Sequence, residues 1–120
     1  MKRPSPTVRL HLWLENGEGV YFGMGRAMLL LKVQELGSLK KAADQMGMSY
    51  RAAWGKIRKS EEILGIRLIA SNGCRKEGCQ LTEEGLRITE KFLRWFQEVE
   101  DDALRKAGEI FDCRVERYGS

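Results

Sequence analysis

The sequence has little of what catalytic, metal-binding and membrane proteins depend on. Its 120 residues include one histidine, His11, and three cysteines, which do not form the paired spacing of a zinc site. No stretch approaches the roughly 20 consecutive apolar residues that a membrane helix needs, and the N-terminus lacks the apolar run of a secretory signal. We therefore expect a cytoplasmic protein without a metal, cofactor or membrane association, and we expect no enzymatic activity.

Two of the three cysteines, Cys74 and Cys79, lie close together in a glycine-containing segment. They could form half of a metal site, a redox pair, or simply two loop thiols. We favour the loop thiols, because the sequence offers no further ligands in a recognisable pattern. The neighbouring Arg75 and Lys76 would favour the thiolate form, so a redox response stays open as an alternative.

The positive charges are concentrated in one short part of the chain. The formal net charge is only +4, but the segment from Ser38 to Ser60 carries six bases and one acid. The segment from Thr82 to Asp112 carries nine acids and five bases. Basic clusters attract phosphate, whereas acidic segments are repelled by it. The sequence therefore predicts one surface that faces an anionic partner and another region that avoids it.

The first third of the chain has the pattern of a hairpin followed by a helix. Apolar residues alternate with polar ones from Val8 to Leu14, which predicts a strand with one buried face. Asn16-Gly17 is a strong hairpin turn signal, and residues 20–22 can form the return strand. The apolar run over residues 27–36 predicts a helix that ends at Gly37.

The basic segment itself predicts two helices joined by a short turn. Ser38 can cap the first helix, which Gly47 ends, and Ser49 can cap a second helix from Tyr50 to Leu64. The single apolar residue between Gly47 and Ser49 is too short a link to let the two helices separate. This is the spacing of a helix-turn-helix motif.

The remaining sequence predicts a wing and a long final helix. Residues 66–70 and 79–82 are expected to be short strands around a loop, and Thr82 is expected to cap a helix with an apolar stripe that reaches Ile110. A 30-residue helix is about 45 Å long and outruns so small a domain, so part of it should pack on a second copy. The fold class is therefore mainly α, a winged helix-turn-helix over residues 1–82, with a dimerisation helix over 83–113 and a frayed tail over 114–120.

The outer face of the second basic helix carries the functional hypothesis. An exposed helix in the DNA major groove must be held away from the protein surface by a closely packed neighbour, and Ala43 and Ala53 permit such packing. A plain solvated surface is the simpler explanation for the lysines and arginines there. Trp54 could instead be a core residue, but an aromatic residue among lysines and arginines on the polar face of a helix more often contacts a partner.

A family resemblance lies in three segments: GSLKKAADQMGMSYRAAWGKI, ILGIRLIASNG and QLTEEGLRI. They are similar to the N-terminal DNA-binding domain of ModE-type, molybdate-responsive regulators, and more distantly to LysR-type regulators. The resemblance implies a homodimeric transcriptional regulator that dimerises through its first and last helices. It also implies that Ser49, Tyr50, Arg51 and Trp54 enter the major groove of double-stranded DNA, while Arg75 and Lys76 lie on the wing.

The sequence patterns and the resemblance together predict the residues for each role. The DNA-binding residues are Ser38, Ser49, Tyr50, Arg51, Trp54, Gly55, Lys56, Arg58, Lys59, Arg75 and Lys76. The dimerisation residues are Leu30, Phe92, Phe96, Val99, Ala103 and Ile110. Molybdate-binding repeats follow the last helix in ModE, but this sequence ends at Ser120, so we do not expect this polypeptide to sense an oxyanion. A free-standing DNA-binding member and a chain that works with a separate effector-sensing partner both stay open. The alternative is a winged-helix protein-interaction module that binds no specific DNA sequence, with Trp54 as an interface anchor.

Overall fold

The computed structural model of the chain describes residues 5–70 and 78–119. Their secondary structure consists of the helices α1 Met24–Leu36, α2 Leu39–Gln45, α3 Tyr50–Leu64 and α4 Glu83–Ile110, and the strands β1 Thr7–Val8, β2 Trp13–Asn16, β3 Gly19–Gly23 and β4 Glu116–Arg117. They fall into two compact units. The central unit spans Trp13–Leu93, and the terminal unit combines Met1–Leu12 with Arg94–Ser120. Within the described part of the chain, no helix is long and apolar enough to cross a membrane.

The core of the central unit forms where α1, α2 and α3 meet the β2–β3 hairpin. Its fully or almost fully buried apolar residues are Phe22, Ala27, Leu29, Leu30, Val33, Leu39, Ala42, Ala43, Ala53, Ile57, Leu68, Ile69, Cys79 and Phe92. The rings of Phe22 and Phe92 lie 5.3 Å apart between centroids and join the hairpin to the first part of α4. The mainly helical, winged helix-turn-helix fold is therefore confirmed.

The predicted hairpin exists, but its first strand is shorter than expected. β2 pairs with β3 in antiparallel register, with Leu14 opposite Phe22 and Asn16 opposite Gly19. The Asn16 side chain accepts a hydrogen bond from the Glu18 backbone N–H at 2.8 Å, which stabilises the predicted turn. A bulge between Leu14 and Glu15 shifts the register.

The beginning of the predicted strand belongs to the terminal unit instead. Thr7 and Val8 form β1, which pairs in parallel with Glu116 and Arg117 of β4. The prediction of one continuous strand from Val8 to Leu14 was therefore wrong. The segment predicted as a frayed tail contains β4, because its backbone pairs with a strand from the other end of the sequence.

The predicted helix ends are confirmed at glycine and hydroxyl residues. Gly37 and Gly65 take left-handed backbone angles, with φ of 66° and 70°, and end α1 and α3. The Thr82 hydroxyl accepts from the Gly85 backbone N–H at 2.9 Å and caps α4. Helix α1 begins at Met24, three residues before the apolar run that predicted it.

Candidate nucleic-acid interface

The turn between α2 and α3 is held by caps and by one backbone hydrogen bond. The Ser38 hydroxyl accepts from Lys41 N–H at 3.1 Å, and the Ser49 hydroxyl accepts from Ala52 N–H at 3.0 Å. Gly47 has a φ of 68°, and the Met48 N–H donates to the Ala43 carbonyl at 3.0 Å. These bonds leave α2 and α3 separated by only four residues. The predicted helix-turn-helix geometry is therefore present.

Helix α3 has a clear inner and outer face. Ala53, Ile57 and Ser60 point inward and are buried. Tyr50 and Arg51 are exposed and Trp54 is half-buried, so none of these three residues lies in the core. The remaining predicted residues of this helix, Gly55, Lys56, Arg58 and Lys59, are all exposed. The structure thus brings one row of aromatic and basic side chains to the surface of a helix that is anchored on its other side.

Three residues of this outer face, spaced by four positions, form a row in which the middle residue, Trp54, contacts both of the others. The rings of Tyr50 and Trp54 meet edge-on, with centroids 6.3 Å apart and an interplanar angle of 85°. The guanidinium carbon of Arg58 lies over the Trp54 ring, 5.5 Å from its centroid. We call Tyr50, Trp54 and Arg58 the outer ridge of α3.

The far half of α3 is anchored by contacts that the sequence did not predict. The buried Ser60 hydroxyl donates to the Tyr21 carbonyl of β3 at 2.5 Å. The Lys59 side chain lies over Gly19, where an added Cβ would come within 3.2 Å of the Lys59 Cε. Ser60 continues the inward spacing of Ala53 and Ile57, and that pattern is the signal that could have identified it.

A carboxylate at the end of α3 orders the segment that leads to the wing. Glu61 accepts hydrogen bonds from Leu68 N–H at 2.8 Å and from Ile69 N–H at 3.4 Å. The Glu61 carboxylate therefore bonds to the backbone and does not neutralise the basic residues of α3. No sequence pattern indicated this role.

The base of the wing is described, but its tip is not. Ile69 forms an isolated antiparallel bridge with Leu81, and the Ala70 N–H donates to the Gln80 carbonyl at 2.9 Å. The Leu81 N–H donates to the Gln34 side chain at 3.0 Å. The two predicted strands are therefore reduced to this bridge. Arg75 and Lys76, predicted to contact phosphate, and Cys74 lie outside the described residues. Cys79 is buried and disulfide-bonded, so the interpretation of this residue as a loop thiol was wrong.

The predicted dimerisation residues divide between core and surface. Leu30 and Phe92 are buried in the core of the central unit, so they are not available to a second copy. In the terminal unit, Phe96, Val99 and Ala103 are half-exposed, and Ile110 is 75% exposed. The apolar stripe of α4 thus serves the core at its start and reaches the surface further along.

The four helices, the turn between α2 and α3 and the bridged wing base define the class of protein: a winged helix-turn-helix protein. The family model described as bacterial regulatory helix-turn-helix protein, lysR family, matches residues 25–86, just over half of the chain. The chain belongs to this family. The family match supports LysR-type membership and does not extend to the ModE-type specificity that the sequence segments resemble.

Solved structures of LysR-type proteins share the fold. The BenM DNA-binding domain bound to the benA site 1 DNA is 26% identical, with a TM-score of 0.56, over 72% of this chain and 92% of that one. The CbnR DNA-binding domain–DNA complex is 20% identical, with a TM-score of 0.59, over 72% and 95%. Vibrio fischeri DarR in complex with DNA is 15% identical, with a TM-score of 0.58, over 73% and 29%. No curated protein sequence matches the chain.

Proposed function

We propose that this chain is the DNA-binding part of a transcriptional regulator, binds double-stranded DNA sequence-specifically, and has no catalytic role. The observation that carries the proposal is the outer face of α3, where Tyr50, Arg51 and Trp54 are accessible on a helix anchored by α2 and β3. A helix held in this way fits the major groove, which displays a different pattern of donors and acceptors for each base pair.

The charges and the relatives support the same proposal. Among the described residues, no ion pair involves the exposed lysine and arginine side chains of α3, so these side chains remain available to phosphate. The BenM and CbnR domains with the same fold were solved as DNA complexes. We assign base contacts to Ser49, Tyr50, Arg51 and Trp54, and phosphate contacts to Lys56, Arg58, Lys59, Arg75 and Lys76. Ser38 caps α2, and Gly55 lets the DNA backbone approach closely.

Selection of bound sequences from a random duplex pool tests the proposal. We expect the chain to enrich one sequence pattern, and Arg51→Ala to lose about 10-fold or more in affinity for the selected duplex, since a bidentate base contact contributes ~1–3 kcal/mol of discrimination. Its affinity for scrambled duplex should fall much less. Lys91→Ala removes an exposed cation from α4 and serves as the control, with both affinities unchanged. Failure to enrich any sequence would refute the proposal and favour the protein-interaction module.

We also propose that the functional form is a homodimer formed through α4. Phe96, Val99 and Ala103 keep to one stripe of the helix in the terminal unit and are only half-buried there. Two copies would present two α3 helices to two half-sites, which increases specificity. Sedimentation should give a dimer at micromolar concentration, and Val99→Glu should give a monomer. A monomeric wild-type chain would contradict this assembly.

Two narrower expectations, on effector sensing and on cellular location, stay proposals. A ModE-type regulator would respond to an oxyanion, and here we assign that sensing to a separate partner. A cytoplasmic location follows from binding DNA in a bacterial-type regulator. Calorimetric titration of this chain with molybdate should show no binding, and a saturable signal would contradict the assignment of sensing to a partner.

A further inference from the structure

The residues of the outer ridge of α3 contact one another, and the DNA contacts proposed above do not explain why. Tyr50, Trp54 and Arg58 are spaced by four residues, so they lie above one another on the same face of the helix. Trp54 touches both of its neighbours: the Tyr50 ring meets it edge-on, and the Arg58 guanidinium lies over its face. Trp54 is half-buried, whereas Tyr50 and Arg58 are exposed. The indole is therefore the fixed member of the row.

The stack restricts a side chain that is otherwise free to move. Arginine has many rotamers, and ordering them on binding has an entropic cost that a preformed contact reduces. In the described part of the chain, no carboxylate forms an ion pair with Arg58. The guanidinium carbon of Arg58 lies 5.5 Å from the Trp54 ring centroid. A guanidinium has five N–H donors, and a ring contact does not use all of them, so donors remain available for an anion.

The position of Arg58 on the helix indicates which anion it meets. Arg58 lies eight residues after Tyr50, or about 12 Å along the helix axis. That distance equals the width of the major groove, about 12 Å. If the N-terminal end of α3 reaches the base edges, a side chain this far along the helix reaches the edge of the groove, where the phosphates lie.

We propose that Trp54 is a positioning residue that holds the Arg58 guanidinium over its ring, ready to bind a DNA backbone phosphate. This inference rests on the proposed function, because it requires that α3 binds duplex DNA. It gives Trp54 a role beyond the base contact assigned to it above. It also predicts that the two residues contribute to binding as a unit.

A double-mutant cycle measured on one duplex tests the coupling. We expect Arg58→Ala to weaken binding about 10-fold, as loss of a charge-assisted hydrogen bond does, and to reduce the slope of log affinity against log salt by about 0.9. In the Trp54→Ala background, the loss on removing Arg58 should shrink by up to about 5-fold, because the energy of an exposed cation–π contact sets the upper limit of what this preformed contact can contribute to binding. Trp54→Phe keeps an aromatic face and should retain most of the coupling.

Three controls make the result interpretable. Lys56→Ala removes an exposed cation of the same helix that is outside the stack, and its effect should add to that of Trp54→Ala. Arg58→Lys keeps the charge but loses the planar group, so it should keep the salt slope and lose affinity. If Trp54→Ala fails to fold, Trp54→Leu takes its place, since it fills much of the volume without a ring current or a π face.

The outcomes separate the two proposals. If the wild-type chain binds no duplex, the proposed function fails. If it binds duplex, but the Trp54 and Arg58 effects are additive or the salt slope is unchanged in Arg58→Ala, the positioning role fails and the proposed function stands. The free protein gives an independent readout: the Arg58 side-chain protons should be shifted upfield by the indole ring, and normal shifts would overturn the proposal.

Discussion

Gly85 lies in the first turn of α4, where the helix backbone meets the Leu68 carbonyl. A Cβ added at this position would lie 2.3 Å from the Leu68 oxygen and 3.0 Å from both its carbonyl carbon and its Cα. All three are backbone atoms, so no side chain can rotate away to relieve the clash. We therefore expect Gly85→Ala to destabilise the fold, although alanine has the higher helix propensity.

The magnitude follows from the contacts that must shift. Ordinary contact begins near 3.4 Å, so the Leu68 carbonyl has to move by about 1 Å in a closely packed region. That carbonyl accepts a hydrogen bond from Thr82 N–H at 2.9 Å. Loss of this hydrogen bond costs ~1 kcal/mol. Overpacking adds ~1–3 kcal/mol, and the helix-propensity gain of ~1 kcal/mol offsets part of the sum. The expected net loss is about 2 kcal/mol, or roughly 8–16 °C in Tm for a domain of this size.

Urea unfolding followed by circular dichroism measures this loss. Gly108→Ala is the matched control, because it also adds a methyl group to α4 but meets its nearest backbone atom, the Cys113 oxygen, at 3.4 Å. Its free energy of unfolding should not fall. The reasoning is refuted if Gly85→Ala unfolds within 0.5 kcal/mol of the wild type, an interval set by ordinary surface substitutions at about ±0.5 kcal/mol.

Two further predictions concern α3 and the terminal unit. Gly55 is exposed, and nothing lies within 4 Å of an added Cβ. Gly55→Ala should therefore stabilise the free protein by ~1 kcal/mol in urea unfolding and weaken duplex binding. An unchanged affinity for duplex would contradict the close approach of the DNA backbone proposed at Gly55. A hydrogen bond from Arg117 lowers the pKa of Asp101, so this pair stabilises the fold above the ordinary aspartate pKa and the effect is lost as pH falls through the lowered value. In a carboxyl NMR titration, Arg117→Ala should return the Asp101 pKa towards its ordinary value. The pKa of Asp102, which Lys106 lowers, should stay unchanged and serves as the control. An unchanged Asp101 pKa would contradict the assignment.

The helix-turn-helix could be predicted because its signals are local. Gly47, Ser49 and Gly65 determine where α2 ends and where α3 begins and ends, through backbone angles and caps that involve residues at most four positions apart. The outer face of α3 followed from helical spacing alone. Both kinds of signal can be recognised in a single sequence without knowledge of the tertiary structure.

The features that the sequence did not predict depend on distant residues. β1 and β4 are two residues long and pair Thr7 with Glu116, and strands this short have no periodicity to detect. The apolar stripe of α4 was correct as a pattern, but the pattern does not show that Phe92 packs against Phe22 rather than against a second copy. Likewise, the Glu61 carboxylate receives Leu68 N–H only once the chain has turned back at Gly65.

The basic side chains of α3 and α4 differ in what surrounds them. Four of the five on α4 form ion pairs within about one turn of the helix: Arg87 with Glu83, Arg94 with Glu98, Arg105 with Asp102 and Glu109, and Lys106 with Asp102. On α3, the Glu61 carboxylate accepts backbone N–H groups instead. A phosphate that bound the α4 bases would compete with neighbouring carboxylates, whereas one that bound the α3 bases would break no ion pair. This difference supports the proposal that an anionic partner binds α3 rather than α4.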